Sequence, residues 1–219
     1  LSQQSIVGTV LYNTLLMVVL TSTLTVAFSL IISLVVVRSK FWGRKILDQL
    51  AFMPHAVPGI VMGLAFLWLF LKFDQLFGTR MFGTVTSLVI GFSVLFLAYG
   101  TRAMNGAILQ LHRDLEEAAE TSGARPWRVM WRVFVPLMLP TFIGVWVYVV
   151  LLSVRLAGLP LMLFEGRDNT VLAVLIWYLW DEGNIEAVAA IGIMLMTVLF
   201  VLILGLRYFG FGRDLTQTA

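Results

Sequence analysis

The sequence predicts an all-α, polytopic membrane protein. Of its 219 residues 60% are apolar and only 12% charged, and five stretches are long and apolar enough to cross a bilayer. Soluble domains run near 45–50% apolar and about 25% charged. A mean hydropathy of +0.95 leaves too little polar surface to face water.

A spanning helix needs about 20 mostly apolar residues to cross ~30 Å of hydrocarbon. The first stretch, 6–37, carries no charged residue and is long enough to tilt or to begin outside the bilayer. Within it Thr21, Thr25, Ser29 and Ser33 recur every fourth residue. At ~40° of drift per step they share one helix face. That face is either the polar lining of a translocation path or a seam where small residues let helices approach closely. The second stretch, 51–71, holds Pro54 and Pro58 near its start, where each interrupts regular helix. A bend there shapes a gate or serves packing, and Pro58 joins Thr21, Thr25 and Ser29 as a candidate lining residue. His55, between the prolines, either approaches a substrate or satisfies itself within the protein.

The third stretch is 85–103, the fourth 133–154 and the fifth 185–206. An outer loop, 155–184, holds two apolar runs, 159–164 and 171–180, each too short to cross and read as interfacial or re-entrant. Trp177, Tyr178 and Trp180 suit a membrane–water boundary.

Five spans put the two ends on opposite sides. With the first residues outside, the inner segments collect eleven of the 15 Lys and Arg and the outer ones four, while the acids divide six and six. The basic excess therefore sets the N-terminal end outside and the C-terminal end in the cytoplasm. The first residues carry no basic region that would export them, and the chain opens on Leu1. An upstream segment with at least one further span is expected.

Several chemistries are excluded. The chain has no cysteine and two histidines, so disulfides, Cys-ligated zinc and thiol catalysis fall away. No phosphate-cradling G-x-x-x-x-G-K-[ST] loop is present, and Gly210-Phe211-Gly212 is too slight to serve as one. No nucleophile–base set or carboxylate pair lies within the spans, so an intramembrane enzyme is not expected. Midplane charges would mark a proton relay or ion-coupled carrier; Asp48 and Glu186 sit only at span edges. A net charge of +3 does not point to nucleic acid.

The inner loop, 104–132, carries most of the information. Asp114 and Glu117 have capping-box spacing, residues 114–122 favour helix with acids in the first turn, and Gly123 suits a left-handed helix end. Pro126 suits the first turn of a second helix, one bearing Trp127, Val129, Met130 and Trp131 among Arg125, Arg128 and Arg132. This is either a hairpin resting on headgroups or a rigid docking element for a cytoplasmic partner.

Glu117-Ala118-Ala119, three residues, Gly123, nine residues, then Val133-Phe134-Val135-Pro136 resembles the EAA loop, E-A-A-x3-G-x9-I-x-L-P, of binding-protein-dependent ABC importer permeases. Val133 and Val135 replace Ile and Leu. Asn13-Thr14-Leu15 is similar to that family's N-T-L opening, and Pro54 through Gly59 to its P-x-x-x-P-G element. The stretch from Arg155 through Trp180-Asp181-Glu182-Gly183 to Ala189-Ala190 is similar to iron(III)-type permeases, in particular their C-terminal half.

The resemblance implies a type I importer core, non-catalytic itself, working in the bacterial inner membrane as one of two permease halves. It implies a cytoplasmic ABC ATPase dimer carrying ATP and Mg, and an external solute-binding protein. It also implies that Glu117, Ala118, Ala119, Gly123 and Pro136 couple this chain to the ATPase. No cofactor is expected in the chain, and ferric iron is the expected substrate. A gradient-driven transporter or channel subunit and a purely structural membrane subunit are the rival readings.

Overall fold

The computed structural model describes residues 3–111, 121, 125–166 and 169–208. Every regular element among them is helical, and five helices are long and apolar enough to cross a membrane. In order they are α1 (Gln3–Arg38), α2 (Arg44–Phe52), a 3₁₀ turn (Met53–Ala56), α3 (Gly59–Phe77), α4 (Val85–Gln110), a single turn α5 (Pro126–Val129), a π-helical turn (Met130–Phe134), α6 (Val135–Arg155), α7 (Gly158–Leu163), α8 (Leu172–Asp181) and α9 (Ile185–Tyr208).

The second spanning helix begins at Gly59, later than residue 51, because the prolines decide. Pro58 takes an extended ψ of 138° as the cap of α3, its carbonyl accepting from the Met62 N–H. The preceding residues separate into α2 and a 3₁₀ turn. At its other end α3 stops on Gly78, left-handed at φ +63°, a conformation glycine adopts without steric cost. The third spanning helix runs past residue 103 to Gln110, since residues 103–110 hold no proline.

The fourth begins with a π-helical turn. The Val135 N–H reaches back five residues to the Met130 carbonyl, and Pro136 follows at once. A proline ring collides with the carbonyl four residues earlier and donates no N–H to it. A widened turn gives Pro136 that room. Pro140, inside α6, is carried without a break.

The chain divides into two compact units. The first comprises residues 1–21, 57–92 and 149–219. Its core gathers Val10, Met17, Phe66, Phe70, Leu88, Phe92, Val149, Leu159 and Leu163, all buried. Here α7 lies tight against α3 and α4 because glycines clear the way. A Cβ at Gly63 would fall 2.8 Å from the Met162 side chain, one at Gly158 3.3 Å from Ile60, and one at Gly91 3.0 Å from Leu159. Lipid is as apolar as a leucine side chain, so close backbone approach through small residues takes over from hydrophobic drive. The run 159–164, too short to span, is thus a helix with Leu159, Pro160 and Leu163 buried in protein.

The second unit comprises residues 22–56 and 93–148. Phe96, Met104, Ile108, Phe134, Met138 and Val145 are buried in it. The seam between α1 and α4 is built from small residues. Gly100 faces Ser29 and Thr25 so closely that any side chain would collide with Ser29, and Ser33 Oγ donates to the Thr101 carbonyl at 3.3 Å.

Candidate functional site

Glu117, Ala118, Ala119 and Gly123 lie outside the described residues, so the structure speaks to the supports of the expected coupling loop. On the incoming side α4 ends at Gln110 and the chain turns at Leu111. The Arg38 guanidinium, from the last turn of α1, donates to the Leu111 carbonyl at 2.9 Å. A cation on a carbonyl at a helix C-terminus satisfies an orphan acceptor and complements the helix dipole. On the outgoing side the Arg125 carbonyl accepts from the N–H groups of Arg128 and Val129 at 2.8 and 3.1 Å, starting α5. Val129 and Phe134 are buried, and Pro136 is exposed on the second residue of α6.

A polar cluster holds the C-terminal half of α4 to α2. Asp48 on α2 pairs with Arg102 on α4 at 3.3 Å and accepts from the Asn105 amide at 3.2 Å. The Arg102 guanidinium also lies over the Phe52 ring, 4.8 Å from its centroid. From Phe52 an aromatic run continues: His55 at 5.6 Å, then Tyr99 edge-on to His55 at 4.8 Å, then Tyr148 at 5.6 Å from Tyr99. His55 is thereby placed on the 3₁₀ turn against aromatic rings, exposed on its other side. Pro58 is exposed one residue before α3.

Thr25 and Ser29 are fully buried. Their hydroxyls have no hydrogen-bond partner, and they face Gly100. Thr21, also fully buried, shares that face of α1.

The Asn13-Thr14 pair has a specific task within the first unit. Asn13 Nδ2 donates to the Thr170 carbonyl at 3.2 Å. Thr14 Oγ1 accepts the Leu172 N–H at 2.9 Å while donating to the Val10 carbonyl at 2.7 Å. Together they tie down the segment that leads into α8. Buried Asn169 completes it, donating to the Leu163 carbonyl at 2.8 Å and accepting from the Glu165 N–H at 3.3 Å. Asp74, at the end of α3, organises the next turn, accepting from Thr79 Oγ1 and the Met81 N–H at 2.7 Å and from the Phe82 N–H at 2.8 Å.

The Asp48–Arg102–Asn105 set and Asn169 went unseen in the sequence. A lone acid, Asp48, after the basic run 38–45 was the one available sign of the first, and Asn169 offered none.

A model of the family described as binding-protein-dependent transport system inner membrane component matches residues 25–213. The chain belongs to that family. Among its relatives, the ferric transport system permease protein FbpB of Actinobacillus pleuropneumoniae is 28% identical over 196 residues, 89% of this chain and 28% of that protein. A permease protein named for 2-aminoethylphosphonate transport in Salmonella typhimurium is 28% identical over 164 residues, 75% of this chain and 60% of that one. The chain thus spans less than two thirds of either relative. A bacterial alginate ABC transporter, crystallised with its alginate-bound periplasmic protein, superposes with a TM-score of 0.74 at 18% identity, covering 97% of this chain and 78% of that one. The inward-facing MetNI methionine ABC transporter superposes at 0.73 and 14% identity, covering 94% and 95%. These likenesses show the fold: an all-α permease core of the ABC importer type.

Proposed function

We propose that this chain is the membrane subunit of an ATP-driven, binding-protein-dependent importer. It lines the translocation path with a second permease half and receives work from a separate cytoplasmic ATPase dimer through the loop 104–132. The observation that carries this reading is the family match across residues 25–213. The clamping of Leu111 by Arg38 and of Asp48 by Arg102 supports it. A loop that transmits force needs firm attachment on the helices it moves, and α4 has both.

In this reading the N-terminal end of the chain is outside and the C-terminal end cytoplasmic, in a bacterial inner membrane. Glu117 gives the docking contact its charge, Ala118 and Ala119 permit close approach, Gly123 makes the turn, and Pro136 starts the helix that the loop moves. The chain itself is non-catalytic and holds no cofactor; ATP and Mg belong to the ATPase, and an external solute-binding protein delivers the cargo. Ferric iron is the proposed cargo, supported by the ferric permease aligning with 89% of this chain.

Because the chain has no cysteine, a single Ala119→Cys substitution tests the coupling site. Crosslinking in inside-out vesicles is expected to trap a P-loop ATPase. A thiol that labels readily yet captures no ATPase overturns the assignment. In Gly123→Val, ATPase activity is expected to persist while uptake falls, because a β-branched residue resists a left-handed turn. Normal uptake per ATP would count against that turn.

A further inference from the structure

The elbow between α1 and α2 has chemistry that import does not use. Within eight residues it carries Arg38, Lys40, Arg44 and Lys45, with no acid. Arg38 is engaged at Leu111, and the first acid along the chain, Asp48, is taken by Arg102 and Asn105. Among the described residues no carboxylate pairs with Lys40, Arg44 or Lys45, and all three are exposed.

Beside these cations stand large apolar side chains with nothing over them. Trp42 is 85% exposed, Phe41 51%, Ile46 53% and Leu50 58%. The elbow is nonetheless built rather than loose. Ser39 Oγ donates to the Val35 carbonyl at 2.6 Å and accepts the Phe41 N–H at 3.2 Å. Arg44 donates to the Ser39 carbonyl at 3.1 Å, and buried Gly43 lets the Phe41 ring fold over the turn, where a Cβ would stand 2.6 Å from it. These bonds order the elbow, which carries an exposed indole and three cations within the six residues 40–45.

Position decides what they meet. The elbow follows directly on a spanning segment that ends at Arg38, so it lies at the membrane surface. An aromatic side chain at that level sits among headgroups, and cations there attract anionic lipid. A surface made only for water would not hold out Trp42, and one made only for hydrocarbon would not carry three unpaired cations. We propose that residues 40–50 form a binding site for acidic phospholipid headgroups, with Lys40, Arg44 and Lys45 on the phosphate and Phe41, Trp42 and Ile46 between the upper acyl chains.

The test uses the full chain in nanodiscs of 75% phosphatidylcholine and 25% phosphatidylglycerol. A single cysteine replaces exposed Gln49 (Gln49→Cys) and carries bimane. Its quenching is compared between phosphatidylglycerol and phosphatidylcholine bearing the same spin label near the headgroup. An attraction of the usual size gives roughly fivefold enrichment per cation, so the acidic lipid is expected to quench at least several-fold more effectively at equal mole fraction. Lys40→Gln, Arg44→Gln and Lys45→Gln together should bring the ratio near one, while Arg44→Lys alone leaves it high. Raising KCl to 1 M, where screening acts over about 3 Å, should also lower it, without any change at the cations. Equal quenching by the two lipids, no quenching by either, or a preference that survives the triple substitution overturns the proposal. The last two results would assign the elbow to a protein partner and the lipid preference to other cations.

Discussion

The helix α1 uses hydroxyl and amide side chains in two regions, and they do opposite kinds of work. In the first unit Asn13 and Thr14 face the irregular backbone around 170–172 and bond to it. In the second unit Thr25 and Ser29 face another helix at Gly100 and bond to nothing. The difference lies in what stands opposite. Backbone outside a helix has orphan N–H and C=O groups that must be satisfied when water is excluded. Backbone inside a helix has its groups already paired, so a facing residue contributes mainly by being small, and the one bond made across this seam, from Ser33 Oγ, uses the spare lone pair of the Thr101 carbonyl. A polar residue in a spanning helix is therefore read correctly only together with its opposite number.

Four substitutions put that contrast at risk, beginning with the largest effect. Gly100→Leu fills a space that Ser29 already occupies, and overpacking of this kind costs about 3 kcal/mol. A large fall in unfolding midpoint in detergent or nanodiscs is expected, and an unchanged midpoint would refute the small-residue account. Thr14→Val keeps the shape but strands the Leu172 N–H, at a cost of about 2 kcal/mol. Hydrogen exchange should quicken at residue 172 and the first turn of α8 while α4 is undisturbed. Asn13→Leu loses one donor to a carbonyl that keeps a second lone pair, so about 1 kcal/mol is expected. Ser29→Ala is expected to fall within about 0.5 kcal/mol of the parent, since no bond is lost. If Ser29→Ala destabilised as much as Thr14→Val, the two regions would not differ as described.

The five spans were legible because length and hydropathy are local properties, and the chain's few breakers mark most of their ends. The boundaries that shifted did so for local reasons as well. Ala51, Phe52 and Met53 are apolar enough to read as span, yet Pro58 restarts the helix at Gly59. Residues 104–110 read as the start of a loop, yet without a strong breaker the helix continues to Gln110. The four-residue repeat of Thr21, Thr25, Ser29 and Ser33 was visible at once, but its role depended on Gly100, more than sixty residues away. A separation of more than fifty residues likewise hid the pairing of Asp48 with Arg102. Asn13-Thr14 was noticed through resemblance alone, and its reason appeared only with the backbone of residues 170–172 beside it.

The π-helical turn at Met130–Phe134 bears on how such chains change length over time. A π turn is an α-helix holding one residue too many. Removing a single residue from it would restore α-helical spacing at the cost of the Pro136 clash that the turn relieves. Everything before it would also rotate by about 100° about the helix axis, carrying Arg125, Arg128 and the chain that precedes them to another face. One-residue deletions here should thus be selected against twice, by the Pro136 ring and by whatever meets that face.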